Sequence, residues 1–196
     1  MRAAWFVVVA GLLLALPAQA AAGDGKNRFA VKGAGALPCR EFTGAMNSRN
    51  MRTAAAMGWF SGYLSAANRY EADTYELLPW QDPLYLTASI TQFCKANPSM
   101  RLFEVAGRMV ESLKPGRLKV ASPRRTVANG ETRIRLYAAT IGRVKRALST
   151  RDLLVGQVNA KADADLVASL AGFQKREGLE ATGMPDQETL FRLLGK

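Results

Sequence analysis

Two cysteines, sixteen carboxylates and no histidine make up the reactive side chains of this 196-residue chain. Without histidine there is no Ser-His-Asp or Cys-His catalysis and no His-rich zinc site. Cleavage of a glycosidic bond needs only two carboxylates. Glu41, Glu71, Glu76, Glu104 and Glu111 are available, but acids on helix surfaces are far more often solvated charges than catalytic groups. No glycine-rich phosphate cradle or cofactor signature occurs, so no cofactor is expected and the chain is read as non-enzymatic. The thiols of Cys39 and Cys94 are too few for a metal cage without histidine. As an even pair in an exported protein they are expected to form a disulfide, contributing about 4 kcal/mol. Among the aromatics, Trp59, Tyr63 and Tyr70 recur at helical spacing, as core or as a sugar platform. Trp80, beside Pro79 in a loop, is equally open to a core or an exposed role.

The elements that position these groups begin after residue 20. Arg2, the apolar run from Trp5 to Leu16, Pro17 and Ala18-Gln19-Ala20 have the order of a cleaved signal peptide over residues 1–20. Twelve apolar residues fall short of the roughly 20 that span a bilayer, so stable membrane insertion is not expected. The 48% apolar content is enough to build real cores. The chain carries 27 Lys and Arg against 16 Asp and Glu, and the excess is local. From Arg108 to Arg146 there are eleven basic residues and two acids, Glu111 and Glu131. In an exported protein this stretch is read either as a surface for the polyanionic envelope or as a solvated linker, with nucleic acid in the wrong compartment.

Residues 21–34 are rich in Ala and Gly and are expected to be flexible. Residues 35–115 carry helical periodicity. A short helix starts at Pro38-Cys39, and a longer one from the cap Asn50 to about Glu71. A third opens at Asp82-Pro83, and a fourth at Asn97-Pro98, ending at Pro115-Gly116. Gly62, beside Trp59 and Tyr63, is expected to admit a neighbouring helix. This four-helix unit would bring Cys39 to Cys94. Its segments Gly58-Trp59-Phe60-Ser61-Gly62-Tyr63-Leu64-Ser65 and Phe93-Cys94-Lys95-Ala96-Asn97-Pro98 resemble those of small exported helical proteins of the acid-stress-chaperone and secreted immunity-protein type. That resemblance implies a scaffold that binds another envelope protein.

Residues 116–130 read as a basic linker, and residues 131–196 as a second helical domain whose first helix starts at Glu131. The second half of this domain contains Phe173, Gln174, Gly178, Leu179, Thr182, Gly183, Asp186, Thr189, Leu190 and Leu193 in the pattern FQxxxGLxxTGxxDxxTLxxL. Gly178 marks a helix stop, and Asp186 caps the final helix. The pattern strongly resembles the small helical peptidoglycan-binding domain of bacterial cell-wall proteins. The preceding loop departs from the family: Asn159-Ala160 stand where Asp-Gly is usual, and Asp163 and Leu166 where Gly and Thr are usual.

The resemblance implies an all-α protein of two small helical domains, with three helices in the second. It also implies a periplasmic or secreted chain that binds peptidoglycan. Such a ligand offers sugar hydroxyls, amides and stem-peptide carboxylates. Gln157, Asn159, Gln174 and Thr182 are expected to meet the polar groups, and Arg143 and Arg146 to supply charge. The competing reading is an envelope chaperone or immunity-like factor whose second domain has lost its ligand.

Overall fold

The computed structural model describes residues 24–26, 28–46 and 51–195. The expected signal peptide and the cap Asn50 lie outside them. Two units are present, Met1–Val31 and Lys32–Lys196. In the first, the Asp24 carboxylate accepts the backbone N–H groups of Lys26 and Arg28 and pairs with the Arg28 side chain.

The second unit is mostly helical, as expected. Its described residues form seven α-helices, two short 3-10 helices (Gly33–Ala36 and Lys114–Gly116) and one two-stranded sheet: α1 Cys39–Met46, α2 Met51–Tyr70, α3 Pro83–Ala96, α4 Leu102–Leu113, β1 Arg124–Asn129, β2 Thr132–Tyr137, α5 Ala138–Ser149, α6 Ala164–Arg176 and α7 Gln187–Leu194. Helices α1–α4 surround one apolar cluster centred on Phe42, Phe60, Ile90, Leu102 and Val110. Cys39 and Cys94 are fully buried within it and joined by the expected disulfide. Asp82 caps α3 by accepting the Tyr85 N–H at 2.6 Å, with Pro83 at the first helical position.

Helix α4 starts later than Asn97-Pro98. Asn97 instead closes α3, its side chain donating to the Phe93 carbonyl and its N–H to that of Cys94. Residues 98–102 then run beside residues 37–40, bonding Cys39 N–H to Met100 O and Leu102 N–H to Leu37 O. A β-bridge to the first segment wins over helix initiation there. Gly62 lies exposed on α2, and a Cβ added to it would meet nothing within 4 Å, so it admits no neighbouring helix.

The second cluster unites Val127 and Leu136 of the hairpin with Ile141, Leu148, Leu166, Leu170, Phe173, Leu190 and Leu193. Here the structure departs from the expected helix at Glu131 and from the linker before it. Residues 124–129 and 132–137 pair antiparallel, Val127 opposite Ile134 and Arg125 opposite Leu136. The reason is local: Thr132, Ile134 and Leu136 alternate with Arg133, Arg135 and Tyr137, a period of two. Gly130, at φ +55°, opens the two-residue loop. The helix begins only at Ala138.

Candidate functional site

Helix α5 carries the basic residues, and the loop after it decides which of them reach solvent. Ile141, Val144, Lys145 and Leu148 lie on its buried face. Lys145 has no exposed surface, and its ammonium donates to both oxygens of Asp163, at 2.7 and 2.9 Å, and to Asn159 Oδ1 at 2.9 Å. A buried ammonium requires such partners, because its desolvation is otherwise uncompensated. Asp163 also caps α6 through the Leu166 N–H at 3.0 Å. Partial burial raises its pKa, but the Lys145 bond and the Leu166 N–H outweigh that and hold the carboxyl below its ordinary value. Asn159 Oδ1 further accepts the Lys161 N–H at 2.9 Å. The departures at Asn159 and Asp163 thus rebuild the loop around a charge that the sequence reading passed over. Its position among Ile141, Val144 and Leu148 was the available signal.

Arg143 and Arg146 project elsewhere. Arg143 is half-buried, its guanidinium donating to the carbonyls of Gly116 and, at 2.7 Å, Arg117. Burial, and secondarily the charge of Arg146, hold its pKa below the ordinary value. Arg146 is exposed and pairs with no carboxylate among the described residues. Both line a groove of about 570 Å³, with Asn159 on its edge and Ala138, Ala139 and Gly142 along α5. The opposite wall comes from residues 115–120, including Arg117 and Lys119. Four cationic side chains and no carboxylate line this groove. Arg117 and Lys119 were not among the expected site residues, because nothing local in a Gly-Arg-Leu-Lys stretch places it against α5.

Of the six expected residues, Arg143, Arg146 and Asn159 therefore meet at one groove. Gln157 is exposed in the adjoining loop and does not line it. Gln174 requires correction. It is fully buried, its Oε1 accepting the Gly183 N–H at 2.7 Å and its Nε2 donating to Met184 O and Thr189 Oγ1, both at 2.9 Å. It holds the turn between α6 and α7 and has no side-chain atom for a ligand. Thr182 belongs to the same turn, its hydroxyl accepting the Met184 N–H at 3.1 Å and its carbonyl the Asn129 amide at 2.9 Å.

That turn is built as the motif requires. The Leu179 N–H bonds Gln174 O and the Gly178 N–H bonds Lys175 O, the paired bonds of a Schellman stop, with Gly178 at φ +72°. Gly183 also has positive φ, and a Cβ there would come within 2.8 Å of the Val167 carbonyl. Asp186 caps α7 through the Thr189 N–H at 2.8 Å. Among the described residues no group of three His, Cys, Asp or Glu side chains is placed to hold a metal ion. No helix among them is long and apolar enough to cross a membrane.

No curated protein and no solved structure matches the chain. One family model does, over residues 138–193, spanning α5 to α7 with the basic face of α5 and the Gln174 turn. That model is the one described as a putative peptidoglycan binding domain, which this C-terminal region resembles.

Proposed function

We propose that the protein is an exported, non-catalytic peptidoglycan-binding protein whose acid-free groove takes the carboxylates of stem peptides. The observation that carries this reading is that the family match begins at Ala138, on the helix that presents Arg143 and Arg146 to the groove. The small side chains of Ala138, Ala139 and Gly142 let a short peptide lie against α5, while Arg146 and Lys119 offer charge at the rim. Each neutral hydrogen bond contributes about 0.5–1.5 kcal/mol and a charged one up to about 3. Several together, repeated along a polymer, give retention by avidity. The Cys39–Cys94 disulfide and the ligand class fit a periplasmic or secreted location. Residues 35–115 serve in this reading as an interaction module for another envelope protein, with the wall-binding unit extended from 131–196 to include β1.

The test is co-sedimentation of the full mature chain with purified sacculi. Residues 115–120 form one wall of the groove, so a fragment starting at 131 would lack it. Retention should fall several-fold in Arg146→Glu, a change at an exposed side chain, without loss of thermal stability. Release of muropeptides would contradict the non-catalytic assignment. A folded chain that stays in the supernatant at low and moderate salt would favour the second reading, an envelope protein-interaction factor. The use of Gln174 and Asn159 within the fold is the observation behind that alternative.

A further inference from the structure

A second cavity, of about 590 Å³, lies where α3 and α4 meet α7, separate from the basic groove but with Pro115 lining both. Its size falls within the roughly 300–1,000 Å³ of small-molecule sites. Three aromatic rings form a continuous wall. Trp80 and Tyr85 have ring centres 5.9 Å apart, and Tyr85 and Phe191 5.6 Å, all inclined to one another. Phe93, Met109 and Leu113 face the same space, with buried Leu86 and Val105 at its floor. Phe191 remains 46% exposed although Leu190 and Leu193 of the same helix are buried in the core. Trp80, ambiguous by sequence, is half-buried at this wall.

The polar side chains of the cavity are half-buried Gln81 and Ser89, which respectively accept the Trp80 N–H and donate to the Tyr85 carbonyl, and exposed Arg108 and Ser112 on α4. Arg108 is the sole charged side chain lining it, and no carboxylate pairs with Arg108 among the described residues. Its nearest acids along the helix are engaged elsewhere: Glu104 accepts the Arg101 N–H, and Glu111 pairs with Lys114. A sugar or peptide backbone would need many hydrogen-bond partners along the walls, and the side chains there are mostly apolar, with Ser89 already donating within the fold. The geometry points to an amphiphile with one carboxylate and an acyl body as the occupant of this cavity. The chain would lie on Trp80, Tyr85, Phe191 and Met109, and the carboxylate would meet the Arg108 guanidinium, whose forked donors match it. Both apolar clusters contribute walls, so occupancy would also couple them.

Decanoate, with decanol as the neutral control, tests this on the full mature chain by calorimetric titration and Trp fluorescence, below the micellar range. Decanoate should bind saturably and about ten-fold tighter than decanol, as a charge-assisted bond implies. Arg108→Ala should remove that difference and leave decanol binding in place. Ser112→Glu, at an exposed position, should weaken decanoate selectively. Phe191→Ala should weaken both ligands, and Trp80→Phe should abolish the fluorescence response. Equal affinity for the two ligands, or a decanoate affinity indifferent to both Arg108→Ala and Ser112→Glu in folded variants, would overturn the proposal. So would tighter binding of a leucine-terminated peptide carboxylate, which would make the cavity a peptide site. Sacculus retention by Arg108→Ala should equal that of the parent, so this result and the groove's stand apart.

Discussion

At Lys145 the two members of an ion pair are unequally buried, and that asymmetry sets what each substitution should do. Lys145 is wholly enclosed, whereas the Asp163 side chain keeps 30% of its exposure. Removing Asp163 leaves an enclosed ammonium with only Asn159; removing Lys145 leaves a carboxylate that water still reaches. Asp163→Ala should therefore destabilise by about 3 kcal/mol, and Lys145→Met by less. Urea unfolding checks the order, and the reverse order would refute the argument. The pH dependence has a definite sign. Because the folded carboxyl is held below its ordinary value, its stabilisation is present above the unfolded pKa, about 3.9, and is lost as pH falls through the folded one. Asp163→Asn should flatten the stability profile in that acidic window and leave its slope near neutrality unchanged. Gln174 calls for a different experiment. Gln174→Ala would strand the buried Gly183 N–H, and should cost about 1–3 kcal/mol. Sacculus retention per folded molecule should stay at the parent value, since the side chain faces inward. A loss of retention in fully folded Gln174→Ala would contradict that placement.

Among the elements, α2 and the hairpin show how surroundings override local preference. Gly62 lies within α2 at an exposed position with no neighbour, so its only consequence is the backbone freedom it adds to the unfolded chain. Gly62→Ala should stabilise the protein by about 0.5–1 kcal/mol in thermal or urea unfolding. Destabilisation would reveal an approach to this helix that the fold does not contain. The hairpin has the opposite character. Its inward residues Val127 and Leu136 are buried in the second cluster, while Arg124, Arg133 and Arg135 share the outward face. Two of the arginines that made 116–130 look like a linker, Arg124 and Arg125, are exposed side chains of a strand that also buries Val127 in the core. Arg124 sits over the Tyr137 ring at 4.3 Å, which offsets some of the like-charge repulsion on that face.

Across the whole of Lys32–Lys196, polar contacts tie the segment 73–82 and the turn after α4 to the second cluster. The Thr140 hydroxyl donates to Pro79 O at 3.2 Å, and the Asp82 N–H donates to Gln187 Oε1 at 2.7 Å. The Tyr137 hydroxyl reaches Glu76 at 3.3 Å, and Arg143 bonds the carbonyls after α4. With these contacts and Trp80 packed against the second cluster, the two cores should unfold together. Scanning calorimetry of the oxidised chain should show one transition whose calorimetric and van't Hoff enthalpies agree. Reducing Cys39–Cys94 should lower the stability of that transition by about 4 kcal/mol. Two separate transitions in the oxidised protein would mean that the clusters melt independently.

Local chemistry by itself determined the parts of this protein whose cause is local. The Gly178 stop, the Asp186 and Asp82 caps and the apolar periodicity of α2 and α3 need only neighbours a few residues away, and each was legible in the chain. The pairing of Cys39 with Cys94 followed from their even count and the helical pattern between them, and the peptidoglycan-binding resemblance from ten fixed positions. Tertiary structure alone decided the rest. Whether Gln174 faced a ligand or a turn depended on where Gly183 and Thr189 came to lie, and a polar side chain reads identically in both cases. Lys145 finds partners inside the core only because the loop returned Asn159 and Asp163 to it, 14 and 18 residues later. The hairpin won over a longer helix because burial of alternate residues against α5 and α6 outweighs the weak propensities of a short segment. The basic groove arose from residues 115–120 folding back on α5, a long-range approach that no periodicity within either stretch encodes.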